Sequence, residues 1–171
     1  MKLAVLYDSK SGNTKQAAEW IALGMEETEG VEARAFQIGR EDADFVKEAK
    51  GAVIGCPVYA ALMTPDMRTW LMGAGGKYAM AGKLGGAFAT EQYTHGGAEL
   101  VIQAILTNEL VWGMLCYSGG GSQGHPVIHL GPVGVNDNAE KFNGMRITRR
   151  ISASSAGASP PRPPSCSEEG P

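Results

Sequence analysis

The run Gly51-Ala52-Val53-Ile54-Gly55-Cys56 constrains the fold more than any other stretch of this chain. Small and apolar residues without a polar interruption read as a strand buried on both faces, the mark of the middle of a parallel sheet. Parallel strands need long crossovers, and the chain supplies them on either side of this run. Lys2-Leu3-Ala4-Val5-Leu6-Tyr7 is a second short apolar segment, followed over 13–28 by apolar residues at helical spacing. Residues 31–38 half-alternate as a strand, and 41–49 are polar with Phe45 and Val46 as the anchors of a short helix. Thr64-Pro65 fits an N-cap with proline at the first helical position, opening a helix to about Gly73. Residues 84–90 are another buried strand, 99–108 an apolar-faced helix, and 110–117 a final core strand. Five strands alternating with helices predict an α/β fold, a right-handed doubly wound parallel sheet with helices on both faces.

Ligands of such sheets bind beyond the carboxyl ends of the strands, where strand order switches. Three loops leave those ends here, at 8–14, 57–64 and 90–97. The first carries Ser9-Lys10-Ser11-Gly12-Asn13-Thr14 between a strand and a helix. Free N–H groups at a helix start converge on one point, and the helix dipole favours negative charge there. The hydroxyls and the amide of this turn add neutral donors, so it suits a phosphate monoester held without a metal. The string G-x-x-x-x-G-K-[ST] of ATP-type loops does not occur. G-x-G-x-x-G matches at 119–124, but His125-Pro126 follows it where a helix is required.

The other two loops carry aromatic and apolar residues where polar ones are the rule. One contains Pro57, Val58, Tyr59, Ala60 and Ala61; the other contains Thr90, Glu91, Gln92, Tyr93, Thr94, His95 and Gly96. Apolar loop residues above a sheet cover something flat, or pack on a neighbouring subunit. A phosphate turn beside two aromatic loops points to a phosphorylated, planar, aromatic molecule. Flavin mononucleotide (FMN) meets all three demands.

Ser9-Lys10-Ser11-Gly12-Asn13-Thr14 resembles the phosphate loop of flavodoxins. Gly55-Cys56-Pro57-Val58-Tyr59 with Met67-Arg68-Thr69-Trp70-Leu71, and Gly82-Lys83-Leu84-Gly85 through Thr94-His95-Gly96-Gly97, resemble the flavin-dependent NAD(P)H:quinone oxidoreductases of the tryptophan-repressor-binding-protein type. The resemblance spans residues 1–135 and implies a flavodoxin-like five-stranded sheet of order 2-1-3-4-5. It implies that Ser9, Lys10, Ser11, Gly12, Asn13 and Thr14 hold the FMN phosphate. By the same resemblance Pro57, Val58, Tyr59, Ala60 and Ala61 line the isoalloxazine, and Thr90, Glu91, Gln92, Tyr93, Thr94, His95 and Gly96 close its other side.

Two activities follow from the resemblance. A carrier exchanges electrons with a redox partner protein, and the chain tunes potentials through hydrogen bonds and charge near the ring. An oxidoreductase admits NAD(P)H and then a small quinone over the flavin in a ping-pong cycle. His95 is then the catalytic candidate, donating a hydrogen bond to the quinone oxygen, where its plainer role is to order the turn. The insert that supports tetramers in the quinone-reductase group is short or missing, while a net charge of −3 is mild for a carrier of this family. Homodimer and homotetramer both stay open.

Composition excludes other classes. Lys and Arg number 15 against 18 Asp and Glu, with no basic stripe, so nucleic acid is not an expected partner. No stretch nears the ~18 apolar residues of a membrane span, and the start lacks the apolar region of a signal peptide. Cys56, Cys116 and Cys166 form neither a disulfide framework nor C-x-x-C spacing, so the expected compartment is the reducing cytoplasm. Cys56 reads as a small core residue. His125 and His129 lie in an extended, proline-containing segment with no third ligand, so no metal site is expected. Residues 1–145 are expected to form one FMN-binding domain. Residues 146–171 are rich in Arg, Ser, Ala and Pro, and Pro160-Pro161 and Pro163-Pro164 bar a helix. A disordered tail is expected where the fold asks for a fifth helix. Translation out of frame is one account of that tail, which an unbroken reading frame in the gene would exclude.

Overall fold

The computed structural model describes residues 1–118, 120 and 127–136. Most of the glycine run at 119–124, His125, Cys166 and the tail at 146–171 lie outside the described residues. The elements are β1 (Lys2–Tyr7), α1 (Asn13–Glu26), β2 (Glu32–Gln37), α2 (Ala43–Glu48), β3 (Gly51–Pro57), α3 (Pro65–Lys77), β4 (Leu84–Glu91), α4 (Ala98–Val111), β5 (Leu115–Cys116) and β6 (Val133–Val135). The named strands pair only in parallel and the sheet runs β2-β1-β3-β4-β5, the order and fold class the resemblance implied. Strand β1 sits between β2 and β3, so winding reverses there and the crossover helices fall on both faces.

The pleat of β1 divides the core in two. Ala4 and Leu6 join Ile54, Met67, Leu71, Ile102 and Ile105 under α3 and α4. Val5 and Tyr7 join Ala17, Ala18, Ile21 and Phe88 under α1. Each fully buried Leu or Ile side chain contributes about 1.5–3 kcal/mol. Stacking these two cores on a β3 that is buried along nearly all its length fixes the sheet in register.

Two boundaries differ from expectation. Helix α3 runs a turn past Gly73 to Lys77. The run 110–117 is not one strand: Leu110 and Val111 complete α4, and only Leu115 and Cys116 pair with Leu84 and Gly85. Periodicity does not separate a buried strand from the end of an apolar helix, and the α4 ladder continues through Trp112 N–H to Asn108 O at 3.0 Å. The other edge of the fifth position is filled by β6. Since β3 occupies one side of β4 up to Thr90, β6, which pairs with Ala89, Thr90 and Glu91, follows β5 along the opposite side. The fifth strand is therefore split into two short pieces.

Candidate functional site

Strands β1, β3 and β4 end at one edge of the sheet, and the loops leaving them enclose a cleft of ≈ 540 Å³. Ser11 and Asn13 come from the first loop, Pro57, Val58, Tyr59, Ala60 and Ala61 from the second, and Thr90, Glu91, Gln92, Tyr93 and Gly96 from the third. All three loops singled out in the sequence thus meet in one place. Ser9, Lys10, Gly12, Thr14, Thr94 and His95 are not among the lining residues.

The residues behind the cleft shape it. Gly12 begins α1 in the left-handed region at φ 97°, a conformation open to glycine without strain. Ser9 Oγ accepts from Gly12 N–H at 3.2 Å and from Lys15 N–H at 3.3 Å, so this hydroxyl organises the turn from inside. The N–H groups of Ser11 and Asn13 find no protein acceptor among the described residues. Both residues line the cleft at a helix start, where an anion would satisfy such groups. Thr14 and Thr90 share a buried hydroxyl–hydroxyl bond of 2.7 Å that ties the first loop to the end of β4. Lys10 turns away to an ion pair with Asp66 at the start of α3.

The second loop closes as a tight reverse turn. Tyr59 N–H donates to Leu62 O at 2.9 Å and Leu62 N–H to Tyr59 O at 3.0 Å. Ala60 and Ala61 both adopt positive φ, 50° and 63°. Tyr59 is 48% exposed and Tyr93 67%, so the cleft carries an open aromatic on two of its three loops. The turn packs on the third loop at Gly97, where an added Cβ would stand 2.7 Å from Ala61 Cα.

Among the lining residues Glu91 alone is charged. Its carboxylate is buried and accepts from Ala98 N–H at 3.1 Å, at the first residue of α4, where the helix dipole favours it. Asn136 is the lining residue that sequence reasoning missed, and its N–H donates to Glu91 O at 2.8 Å. It is reached only through β6, a segment too short to signal itself. Cys56 lies behind the second loop, fully buried, and burial pushes its thiol up to about 11. That agrees with its reading as a core residue. His95 stands exposed on the rim at φ 65°. No helix among the described residues is long and apolar enough to cross a membrane.

No family model matches the chain. It is 35% identical over 158 residues to a flavodoxin of Clostridium saccharobutylicum, a match covering 88% of this chain and 98% of that one. An NAD(P)H dehydrogenase (quinone) of Methanosarcina barkeri is 29% identical over 146 residues, covering 67% of this chain and 70% of that one. Among solved structures, an archaeal flavodoxin superposes with a TM-score of 0.67 at 23% identity over 91% of this chain and 96% of its own. A doubly wound sheet with its cleft at the switch point, and 35% identity over nearly the whole length of the clostridial protein, make this chain a member of the flavodoxin family, FMN-binding proteins of electron transfer.

Proposed function

We propose that the cleft holds FMN with its phosphate at the 9–14 turn and its ring between Tyr59 and Tyr93, and that the protein carries electrons between redox proteins of the cytoplasm. One observation carries this reading: a single cleft is lined both by Ser11 and Asn13, whose N–H groups have no partner among the described residues, and by two open tyrosines. The donor set fits a phosphate monoester, because unpartnered N–H groups and the Ser11 hydroxyl lie at a helix N-terminus that favours an anion. Bound FMN supplies the one- and two-electron chemistry that these side chains lack.

The chain's own residues hold and shield the cofactor. Ser11 and Asn13 donate to the phosphate, while Ser9 holds their turn and Thr14, bonded to Thr90, keeps it against β4. Tyr59 and Tyr93 cover the ring faces. Glu91 places a fixed negative charge in the cleft and so opposes build-up of further negative charge there.

Titrating the apoprotein with FMN tests this reading. Quenched flavin fluorescence and a yellow protein are expected, and unquenched fluorescence with a colourless protein would refute it. The relative named as a quinone dehydrogenase supports a second reading, an NAD(P)H-dependent quinone oxidoreductase with His95 as donor. Stopped-flow mixing of the FMN-loaded protein with NADPH or NADH separates the two. Prompt bleaching followed by reoxidation with a quinone identifies the enzyme, and no bleaching identifies the carrier.

A further inference from the structure

We propose that Thr64 is a positioning residue whose bond to Asp8 couples the two ends of the cleft, so that an anion at the 9–14 turn tightens the hold of the 57–64 loop on an aromatic ring. The inference rests on the FMN reading above. Thr64 Oγ1 donates to Asp8 Oδ2 at 2.6 Å, and both residues are only 2% exposed. Asp8 is the residue immediately before Ser9, where the phosphate turn begins, and Thr64 is the last residue of the ring loop. The same hydroxyl accepts from Met67 N–H at 3.2 Å, and Thr64 N–H donates to Cys56 Sγ at 3.4 Å, at the foot of that loop. One residue therefore links the exit of β1, the exit of β3 and the start of α3. A hydrogen bond to a buried carboxylate is among the stronger ones a protein makes, and burial of both partners keeps bulk solvent from competing for it.

The element it acts on is the turn at 59–62. Ala60 and Ala61 both occupy the left-handed region, which L-residues with a Cβ enter at a cost. The Tyr59–Leu62 bonds close the turn against that cost, and its ends fix where it sits over the cleft. At one end Val58 N–H donates to Thr90 O at 2.8 Å, and at the other stands Thr64. Anion binding to Ser11 and Asn13 orders the turn that starts at Asp8. Through the Asp8–Thr64 bond it fixes the far end of the ring loop, and less ordering is then left for ring binding to supply.

Splitting FMN into its parts tests the coupling. Riboflavin probes the ring end of the apoprotein, and inorganic phosphate probes the turn. In the wild type, saturating phosphate should lower the riboflavin Kd about fivefold or more. Thr64→Val and Asp8→Ala should bring that ratio close to one, and Thr64→Ser, which keeps the hydroxyl, should preserve it. Thr64→Val also removes the cap of α3, whereas Asp8→Ala leaves the cap and breaks the link. Because Asp8→Ala also removes a negative charge beside the turn, the readout is the ratio of riboflavin Kd values with and without phosphate and not either affinity alone. A merely structural role would weaken riboflavin binding and leave the ratio unchanged. An unchanged ratio in Asp8→Ala, or wild-type riboflavin binding indifferent to phosphate, overturns the proposal. FMN titration of the wild type keeps the two readings apart. FMN bound with the ratio unchanged defeats the coupling alone, and no FMN binding defeats both.

Discussion

Ala60 and Ala61 stand in the backbone region that costs a residue with a Cβ roughly 1–2 kcal/mol relative to its ordinary conformations. Ala61→Gly should therefore raise stability. The net gain is about 0.5–1 kcal/mol once the extra freedom of glycine in the unfolded chain is deducted. A higher urea midpoint at unchanged slope is the expected result. Residue types alone locate the cleft well: Tyr59, Tyr93, Ser11 and Asn13 all line it. What residue types do not disclose is which hydroxyls face a ligand and which brace the loops. Ser9 and Thr14 look alike as phosphate donors in the sequence, yet one organises the turn and the other is bonded to Thr90. The Asp8–Thr64 bond has no local signal either, because its partners are brought together only by the sheet.

At the scale of elements, close approach between strands limits what each can carry. The Phe88 ring lies over Gly55, and a Cβ added at Gly55 would come within 1.9 Å of it. Gly55→Ala should cost about 1–3 kcal/mol through overpacking. Phe88→Leu in the same chain should recover part of that loss, since the two residues share one space. Thermal or urea unfolding of the two single variants and the double variant checks this. Elements with a local signal are legible in the sequence. Thr64-Pro65 marks the start of α3 and the run at 51–56 marks β3. The end of α4 is not legible, because Leu110 and Val111 suit a strand and a helix equally, and tertiary packing decides.

For the whole molecule, the buried Glu109 makes stability depend on pH. Its side chain on α4 is fully buried, with Oε2 accepting from the Cys116 thiol at 3.4 Å and Oε1 without a partner among the described residues. Burial pushes its carboxyl up to about 8, against roughly 4.3 in an unfolded chain. Below the lower value both states hold the proton, and the group does not affect stability. Between the two values only the folded state keeps it, so stability falls as pH rises, by about 1.4 kcal/mol per pH unit at the steepest. Glu109→Gln should flatten that slope between pH 5 and 8, as measured by urea midpoints across the range. Alternation of apolar runs and helices was enough to reach the sheet and the position of its cleft, but not the split fifth strand, whose second piece is the three-residue β6. That split divides local stability along one edge of β4. The β5 half is held by Leu115 N–H to Lys83 O at 2.8 Å and Tyr117 N–H to Gly85 O at 2.9 Å, far from the cleft. The β6 half is held by Ala89 N–H to Pro132 O at 3.1 Å and Asn136 N–H to Glu91 O at 2.8 Å, beside it. Cofactor binding should slow amide hydrogen exchange at Ala89 and Asn136 and leave Leu115 and Tyr117 nearly as before, so that one edge reports on the cofactor in half its length.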